Sequence, residues 1–380
     1  MIILQQISYP HLFSSFKLGG LMIKNRLVMA PMLVGYGSSD GEVSPSMVDY
    51  YEARARGGVG IIIVEAACVN QEGLETYSQL RINHPRYISG LEKLSRSIKN
   101  YGCRAFIQIF HAGRQTSQLI TGTQVVGPSP LACPMTREMP RQLSVAEIEK
   151  ITDEFVSAAQ YAAMAGFDGV EIHAAHGYLI NQFLSPHSNQ RQDEYGGSLE
   201  NRMRFLLNIV RRIKKSLPQL ILSVRLNIDD FVPGGLLPVE SLVVCQELEK
   251  NGANLIHCSC GTYQSGLTSI EPASYPEGWR MYLAEQVKKT VNIPVVGGGM
   301  IRNPHMAEEV IASGQADFIF LGRSLMADPL WPVKARDGQE EDIRPCISCN
   351  NCFASNSRGM SVSCTVNPGW GTRENRPIHH

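Results

Sequence analysis

GVEIHAAH, at residues 169–176, is the run on which the fold turns. It is short, nearly continuous in apolar residues, and closes on polar ones. A strand covered on both faces needs the first property, because neither face meets water. Seven runs of the same kind flank it. NRLVMAPM (25–32), GIIIVEAA (60–67) and RAFIQIFH (104–111) precede it, and LSVRLN (222–227), NLIHCS (254–259), PVVGGG (294–299) and FIFLGR (318–323) follow. Helical segments lie between. Residues 144–165 repeat apolar positions at spacings of three and four, and Ser144 with Glu147 makes a capping box at their start. Residues 199–216 follow Ser198 as a cap, and 279–290 and 304–313 also read as helices. Eight strands alternating with helices predict an α/β fold: a (β/α)8 TIM barrel with a short cysteine-rich C-terminal extension. A doubly wound sheet is the competing arrangement, and the strand count favours the barrel. The barrel is expected over residues 1–330 and the extension over 331–380.

Composition excludes several classes of function. The 380 residues are 43% hydrophobic and 18% charged, with a formal net charge of zero, which is ordinary for a globular protein. No basic stripe points to nucleic acid, and no apolar run reaches the roughly 18 residues of a membrane span. The N-terminus lacks the features of a secretory signal, so a cytoplasmic location is expected. In a reducing compartment the ten cysteines are not expected to pair as disulfides. Six of them are scattered, whereas Cys346, Cys349, Cys352 and Cys364 crowd together near the end.

Barrels place their chemistry at the C-terminal ends of the strands. Those ends carry Pro31-Met32, Glu65-Ala66, Gln108 and His111, His173 and His176 with Tyr178, Arg225, His257, Gly297 to Gly299, and Gly322-Arg323. Glycines after strand 7 and Gly-Arg after strand 8 suit a phosphate-bearing cofactor: the glycines let backbone N–H groups approach, and arginine adds a forked cation. A tight turn is the plainer reading of the glycines. His173 and His176 are open to three readings. They are a zinc pair lacking an evident third ligand, core histidines, or two donors aimed at one substrate oxygen with a phenol beside them. Arg225 is costly to bury alone, so it meets an acid such as Glu171 or Asp229, or it faces an anionic ligand. His257 reads equally as a substrate contact or a core histidine.

These segments together, and above all GVEIHAAHGYLINQFLSPHSNQRQDEYGGSLENRMRF, closely resemble the Old Yellow Enzyme family of NADH:flavin oxidoreductases, from about residue 10 to 330. The resemblance implies FMN at the barrel mouth. Pro31, Met32 and Ala66 would meet the ring through their backbone, Gln108 would bond the pyrimidine edge, and Arg225 would lie near the N1–C2 region. Gly299, Gly322 and Arg323 would hold the phosphate. His173 and His176 would grip a substrate carbonyl, and Tyr178 would donate the proton. Leu33 departs from members that carry Cys or Thr there, which alters a hydrogen bond to the flavin. The implied activity is ene reduction: hydride from NAD(P)H, by way of FMN, to the β-carbon of a small α,β-unsaturated carbonyl or enoyl-CoA compound. An amine dehydrogenase of the same barrel type and a non-catalytic electron-transfer subunit are the alternatives. A homo-oligomer is expected.

The tail reads Cys346-Ile-Ser-Cys349-Asn-Asn-Cys352, then eleven residues to Cys364. By spacing this suits either an iron–sulfur cluster or a four-cysteine zinc site. One branch of the family, which includes 2,4-dienoyl-CoA and 2-enoate reductases, carries a four-cysteine [4Fe–4S] motif at this place. Here the gap between the second and third cysteines is one residue shorter. That branch continues into an FAD- and NAD(P)H-binding half, and no GxGxxG follows a strand before His380. The expectation is therefore direct reduction by NAD(P)H, a separate flavoprotein or ferredoxin donor, or a chain that is a fragment.

Overall fold

The computed structural model describes residues 8–369; residues 1–7 and 370–380, parts of the two expected domains, lie outside the described residues. Strands β1 (Leu27–Met29), β2 (Ile61–Cys68), β3 (Arg104–Phe110), β4 (Gly169–Ala174), β5 (Ile221–Asp229), β6 (Leu255–Cys260), β7 (Val295–Gly297) and β8 (Phe318–Leu321) fall one in each of the eight apolar runs. They pair in parallel and in chain order. Closure comes from β8 on β1, with Ile319 opposite Leu27 and Leu321 opposite Met29. The protein is a TIM barrel, and the doubly wound alternative falls away.

Helices α1 (Pro45–Arg56), α2 (Ile88–Lys99), α3 (Val145–Met164), α4 (Leu199–Ser216), α5 (Pro238–Lys250), α6 (Met281–Lys288), α7 (Pro304–Ala312) and α8 (Trp331–Arg336) ring the strands. At the start of α3 the capping box forms in both directions. Glu147 N–H donates to Ser144 Oγ at 3.3 Å, and Ser144 N–H donates to Glu147 Oε2 at 2.8 Å. Ser198 caps α4 through Asn201 N–H at 3.3 Å. The helix expected over 279–290 shrinks to α6 because Arg280 turns inward, donating from Nε to the Gly298 carbonyl at 3.1 Å. Beyond residue 330, α8 still belongs to the packed barrel. Trp331 is fully buried, and Val333 N–H donates to Gly57 O at 3.1 Å.

Residues two apart on a strand share a face, and the inward faces change character along the barrel. At the N-terminal end Val28, Ile61, Phe106, Leu255 and Phe318 form an apolar floor, closed by an antiparallel hairpin of Phe16–Leu18 and Leu21–Ile23. Two residues further on come Gln108, Ser223 and His257. One layer above lie Phe110, Arg225 and Ser259. The polar positions therefore collect at the C-terminal mouth. After α8 the tail folds back on the β1–α1 loop, with Val362 N–H donating to Val34 O at 2.9 Å and Ser361 Oγ to Gly35 O at 2.8 Å. Among the described residues no helix is long and apolar enough to cross a membrane.

Candidate active site

A cavity of about 250 Å³ opens over the strand ends. Ten of the residues singled out in the sequence line it: Pro31, Met32, Ala66, Gln108, His173, His176, Tyr178, Arg225, Gly322 and Arg323. Gly299 stands just outside, with its neighbour Met300 on the wall. Cys346 and Cys352 of the tail line the same cavity.

Its floor is organised by the fully buried carboxylate of Glu171. Gln108 Nε2 donates to Oε1 at 2.9 Å, while Ser223 Oγ and His257 Nδ1 donate to Oε2, each at 2.9 Å. Burial alone would raise this acid, but His257, Arg225 and Ser223 together hold it below the usual carboxylate range. His257 is thus bound into the floor through Nδ1, while its Nε2 is buried without a partner. Arg225 has no carboxylate within ion-pair distance among the described residues. Its Nε is buried without a partner, and its guanidinium lies 5.7 Å from the Phe320 ring centre. A buried cation without a hydrogen-bonded partner at Nε is costly.

Above the floor His173 Nε2 and His176 Nδ1 face each other at 3.3 Å. Their other nitrogens are engaged. Ala175 N–H donates to His173 Nδ1 at 3.2 Å, which puts that ring's proton on Nε2, and His176 Nε2 meets Ser259 Oγ at 2.6 Å. Burial, reinforced by Arg225, holds both rings well below the ordinary histidine range, so both are neutral. With its proton on Nε2, His173 donates to His176 Nδ1 across the 3.3 Å gap, which leaves the His176 proton on Nε2, facing Ser259 Oγ.

The chain at this point is strained. His176 has φ 61° and Gly177 φ 79°, a left-handed pair that costs a non-glycine residue about 1–2 kcal/mol. Four side-chain amides hold it. Asn227 accepts from His176 N–H at 3.2 Å, and Gln115 donates to His176 O at 3.0 Å. Asn181 accepts from Gly177 N–H at 2.6 Å, and Gln182 donates to Gly177 O at 2.7 Å. All four backbone groups are thereby satisfied by residues that the strand-end rule does not single out.

Tyr178 faces the pair, its ring 4.9 Å from that of His173. Its hydroxyl donates to Glu75 Oε1 at 2.6 Å and lies 3.0 Å from the Tyr263 hydroxyl, which also donates to Glu75 Oε1 at 2.6 Å. At the opposite end of the cavity Glu271, buried, pairs with Arg280 at 3.2 Å and with Arg323 at 2.9 Å. Arg323 further donates to Asn350 Oδ1 at 2.7 Å, tying the barrel to the tail. The glycine triplet serves this cation pair. A Cβ at Gly299, where φ is +135°, would come within 2.4 Å of Arg280 Nε.

Cys346, Cys349, Cys352 and Cys364 all line one small pocket beside Arg323, and none is in a disulfide. No three His, Cys, Asp or Glu side chains among the described residues converge closely enough to hold one metal ion. The residues from 11 to 342 match the model of the NADH:flavin oxidoreductase / NADH oxidase family. The chain belongs to this family of flavin-dependent oxidoreductases. It is 48% identical to the NADH oxidase of Thermoanaerobacter brockii over 365 residues, 95% of this chain and 56% of that protein. Among solved structures, 2-naphthoyl-CoA reductase in complex with 2-naphthoyl-CoA superposes with a TM-score of 0.93 at 30% identity, over 96% of this chain and 58% of that one. The Old Yellow Enzyme homologue from Zymomonas mobilis gives a TM-score of 0.76 at 28% identity, over 85% of this chain and 91% of that one. The chain thus spans somewhat more than half the length of the oxidase and the reductase, and nearly all the length of the Zymomonas mobilis homologue.

Proposed function

We propose that this chain is the FMN-binding, substrate-reducing barrel of an ene-reductase acting on α,β-unsaturated carbonyl compounds, enoyl-CoA thioesters among them. One observation carries the reading. The paired inner nitrogens of His173 and His176, 3.3 Å apart, stand opposite the phenol of Tyr178 in one cavity. A carbonyl oxygen placed there would gain two neutral donors as negative charge grows on it, once His176 carries its proton on Nδ1 and accepts at Nε2 from Ser259. Donors fixed in place before the reaction supply much of the rate acceleration in sites of this kind.

The cavity fits FMN. The orphaned Arg225 Nε, beside Gln108, suits the polar edge of an isoalloxazine ring. Pro31, Met32 and Ala66 would meet the ring through their backbone. Gly299, Gly322 and Arg323 would hold the phosphate, joined by Arg280. When bound, FMN supplies the hydride taken from NAD(P)H. His173 and His176 then fix the substrate oxygen, Tyr178 donates a proton at the α-carbon, and the apolar walls of Phe110 and Phe320 exclude water.

Cys346, Cys349, Cys352 and Cys364 are the ligands we propose for a [4Fe–4S] cluster. All four line one small pocket beside Arg323, and one zinc ion held by four sulfurs is the competing use of the same set. A cubane takes its thiolates at separate corners. When bound, the cluster supplies single-electron transfer from a flavoprotein or ferredoxin donor.

Anaerobic stopped-flow on FMN-loaded protein tests the reading, with Tyr178→Phe as the variant. Enone turnover should fall by roughly 10²–10⁴, the worth of a general acid, while flavin reduction by NAD(P)H continues. Equal loss of both half-reactions would remove Tyr178 from its role. Absence of any product from the reduced wild type would favour the electron-transfer or amine-oxidising alternatives. Iron and sulfide analysis with an EPR spectrum, before and after NADH, decides the cluster and the route of reduction.

A further inference from the structure

The oxygens of Glu75, Tyr178 and Tyr263 form a closed triangle, with edges of 2.6, 2.6 and 3.0 Å. Glu75 comes from the loop after β2, Tyr178 from the end of β4 and Tyr263 from the loop after β6, so three separate segments converge on it. Counting protons shows what the triangle does. With Glu75 ionised there are two protons, and both tyrosine hydroxyls point into Oε1. Tyr178 then has no O–H directed at the cavity. With Glu75 neutral there are three protons. Glu75 donates to Tyr178, and the Tyr178 O–H is released toward the substrate.

We propose that Glu75 is the proton reservoir behind Tyr178, holding the proton that replaces the one Tyr178 delivers. The proposal rests on the ene-reductase reading. Two electrons reach the β-carbon with the hydride, leaving an electron pair at the α-carbon. That pair takes the proton: the Tyr178 O–H bond breaks and the α-carbon C–H bond forms. The Glu75 O–H bond breaks and the Tyr178 O–H bond re-forms. Glu75 ends as a carboxylate accepting from both tyrosines, and water returns a proton before the next turnover. Tyr178 alone would have to end as a buried phenolate, and burial next to Glu75 drives its hydroxyl well above the ordinary tyrosine range. Moving the charge to a carboxylic acid avoids that state.

The groups facing Glu75 are Tyr178 and Tyr263, with His173 behind the first and Cys133 behind the second. No cation lies within ion-pair distance of Glu75 among the described residues. Burial raises its carboxyl above the ordinary range, against the lowering effect of the two tyrosine hydroxyls. The protonated form is therefore present below the raised value and lost above it.

Two measurements on FMN-loaded protein test this. Infrared difference spectra over a pH series should show a protonated carboxylic-acid carbonyl band that disappears as pH rises and is missing from Glu75→Gln. Enone reduction by pre-reduced protein should follow the same inflection in the wild type. In Glu75→Gln it should be slowed about tenfold or more and lose the inflection, while Glu75→Asp keeps it at a shifted pH. An inflection unchanged in Glu75→Gln, or a wild type without the band, would overturn the proposal. If the wild type shows the band but reduces no enone, the function proposed above fails while the protonated state of Glu75 stands.

Discussion

Ser259→Ala is the perturbation that reaches furthest into the proposed chemistry. For His176 to offer Nδ1–H to a substrate oxygen, its Nε2 must accept, and the Ser259 hydroxyl at 2.6 Å is the group placed to donate there. His173 needs no such help, because Ala175 N–H fixes its tautomer through the backbone. With alanine at 259 two states remain. Either His176 keeps Nδ1–H and leaves a buried nitrogen unpaired, at about 1–3 kcal/mol, or it moves the proton to Nε2 and the oxygen loses one donor, at about 3–4 kcal/mol. The cheaper state sets the outcome, so enone reduction should slow roughly 5- to 150-fold. Stopped-flow mixing of pre-reduced protein with an enone measures it. Calorimetric titration of the oxidised protein with a phenol, whose oxygen would occupy the same clamp, gives the binding side. Ser259→Thr keeps the hydroxyl and should lose far less. If alanine leaves both the rate and the phenol affinity unchanged, or if threonine and alanine lose equally, Ser259 does not set the tautomer.

Three other outcomes are expected. Glu271→Gln removes the carboxylate from Arg280 and Arg323, so FMN should bind about tenfold tighter to the apoprotein by fluorescence titration; weaker binding would mean that Glu271 orients the arginines. Glu65 is fully buried with Oε1 unpartnered, and burial pushes its carboxyl up to about 8. The native state therefore holds a proton that the unfolded state releases near pH 4.5, and this group's contribution to stability declines as pH rises from about 4.5 to 8. The decline amounts to roughly 5 kcal/mol, and urea midpoints of Glu65→Gln should show a flatter pH dependence than the wild type. Ser144→Ala removes the α3 cap and should lower stability by about 1 kcal/mol, seen as a lower denaturation midpoint at unchanged slope.

The barrel is legible because eight apolar runs are a local signal, written in consecutive residues. Strand ends are legible for the same reason, and ten of the cavity-lining residues, about a third of the wall, follow from them. His257 and Ser259 show where that rule blurs. Both lie on the inward face of β6, but one layer apart, and only the upper one touches the clamp. The strand-end rule finds the face without finding the height. Glu75, Tyr263 and Arg280 lie on loops or at a helix start, where nothing periodic marks them. Arg323 is expected from its place to face a phosphate, but its ties to Glu271 and Asn350 depend on segments 52 and 27 residues away. The amides at 115, 181, 182 and 227 sit within or near the motif, but their bonds to His176 and Gly177 are a property of the folded loop.

Those amides separate the shape of the loop from the identity of the residue it displays. Every peptide group of the left-handed pair is gripped from outside, so the backbone is held by more than the His176 side chain, whose own ties run to His173 and Ser259. Position 176 is therefore an exchangeable socket. Asparagine, which tolerates the left-handed conformation, could stand there with the loop intact and offer an amide N–H in place of an imidazole, whereas valine or isoleucine would resist the backbone itself. A library confined to position 176 should change which oxygen-bearing substrates are gripped before it changes whether the protein folds.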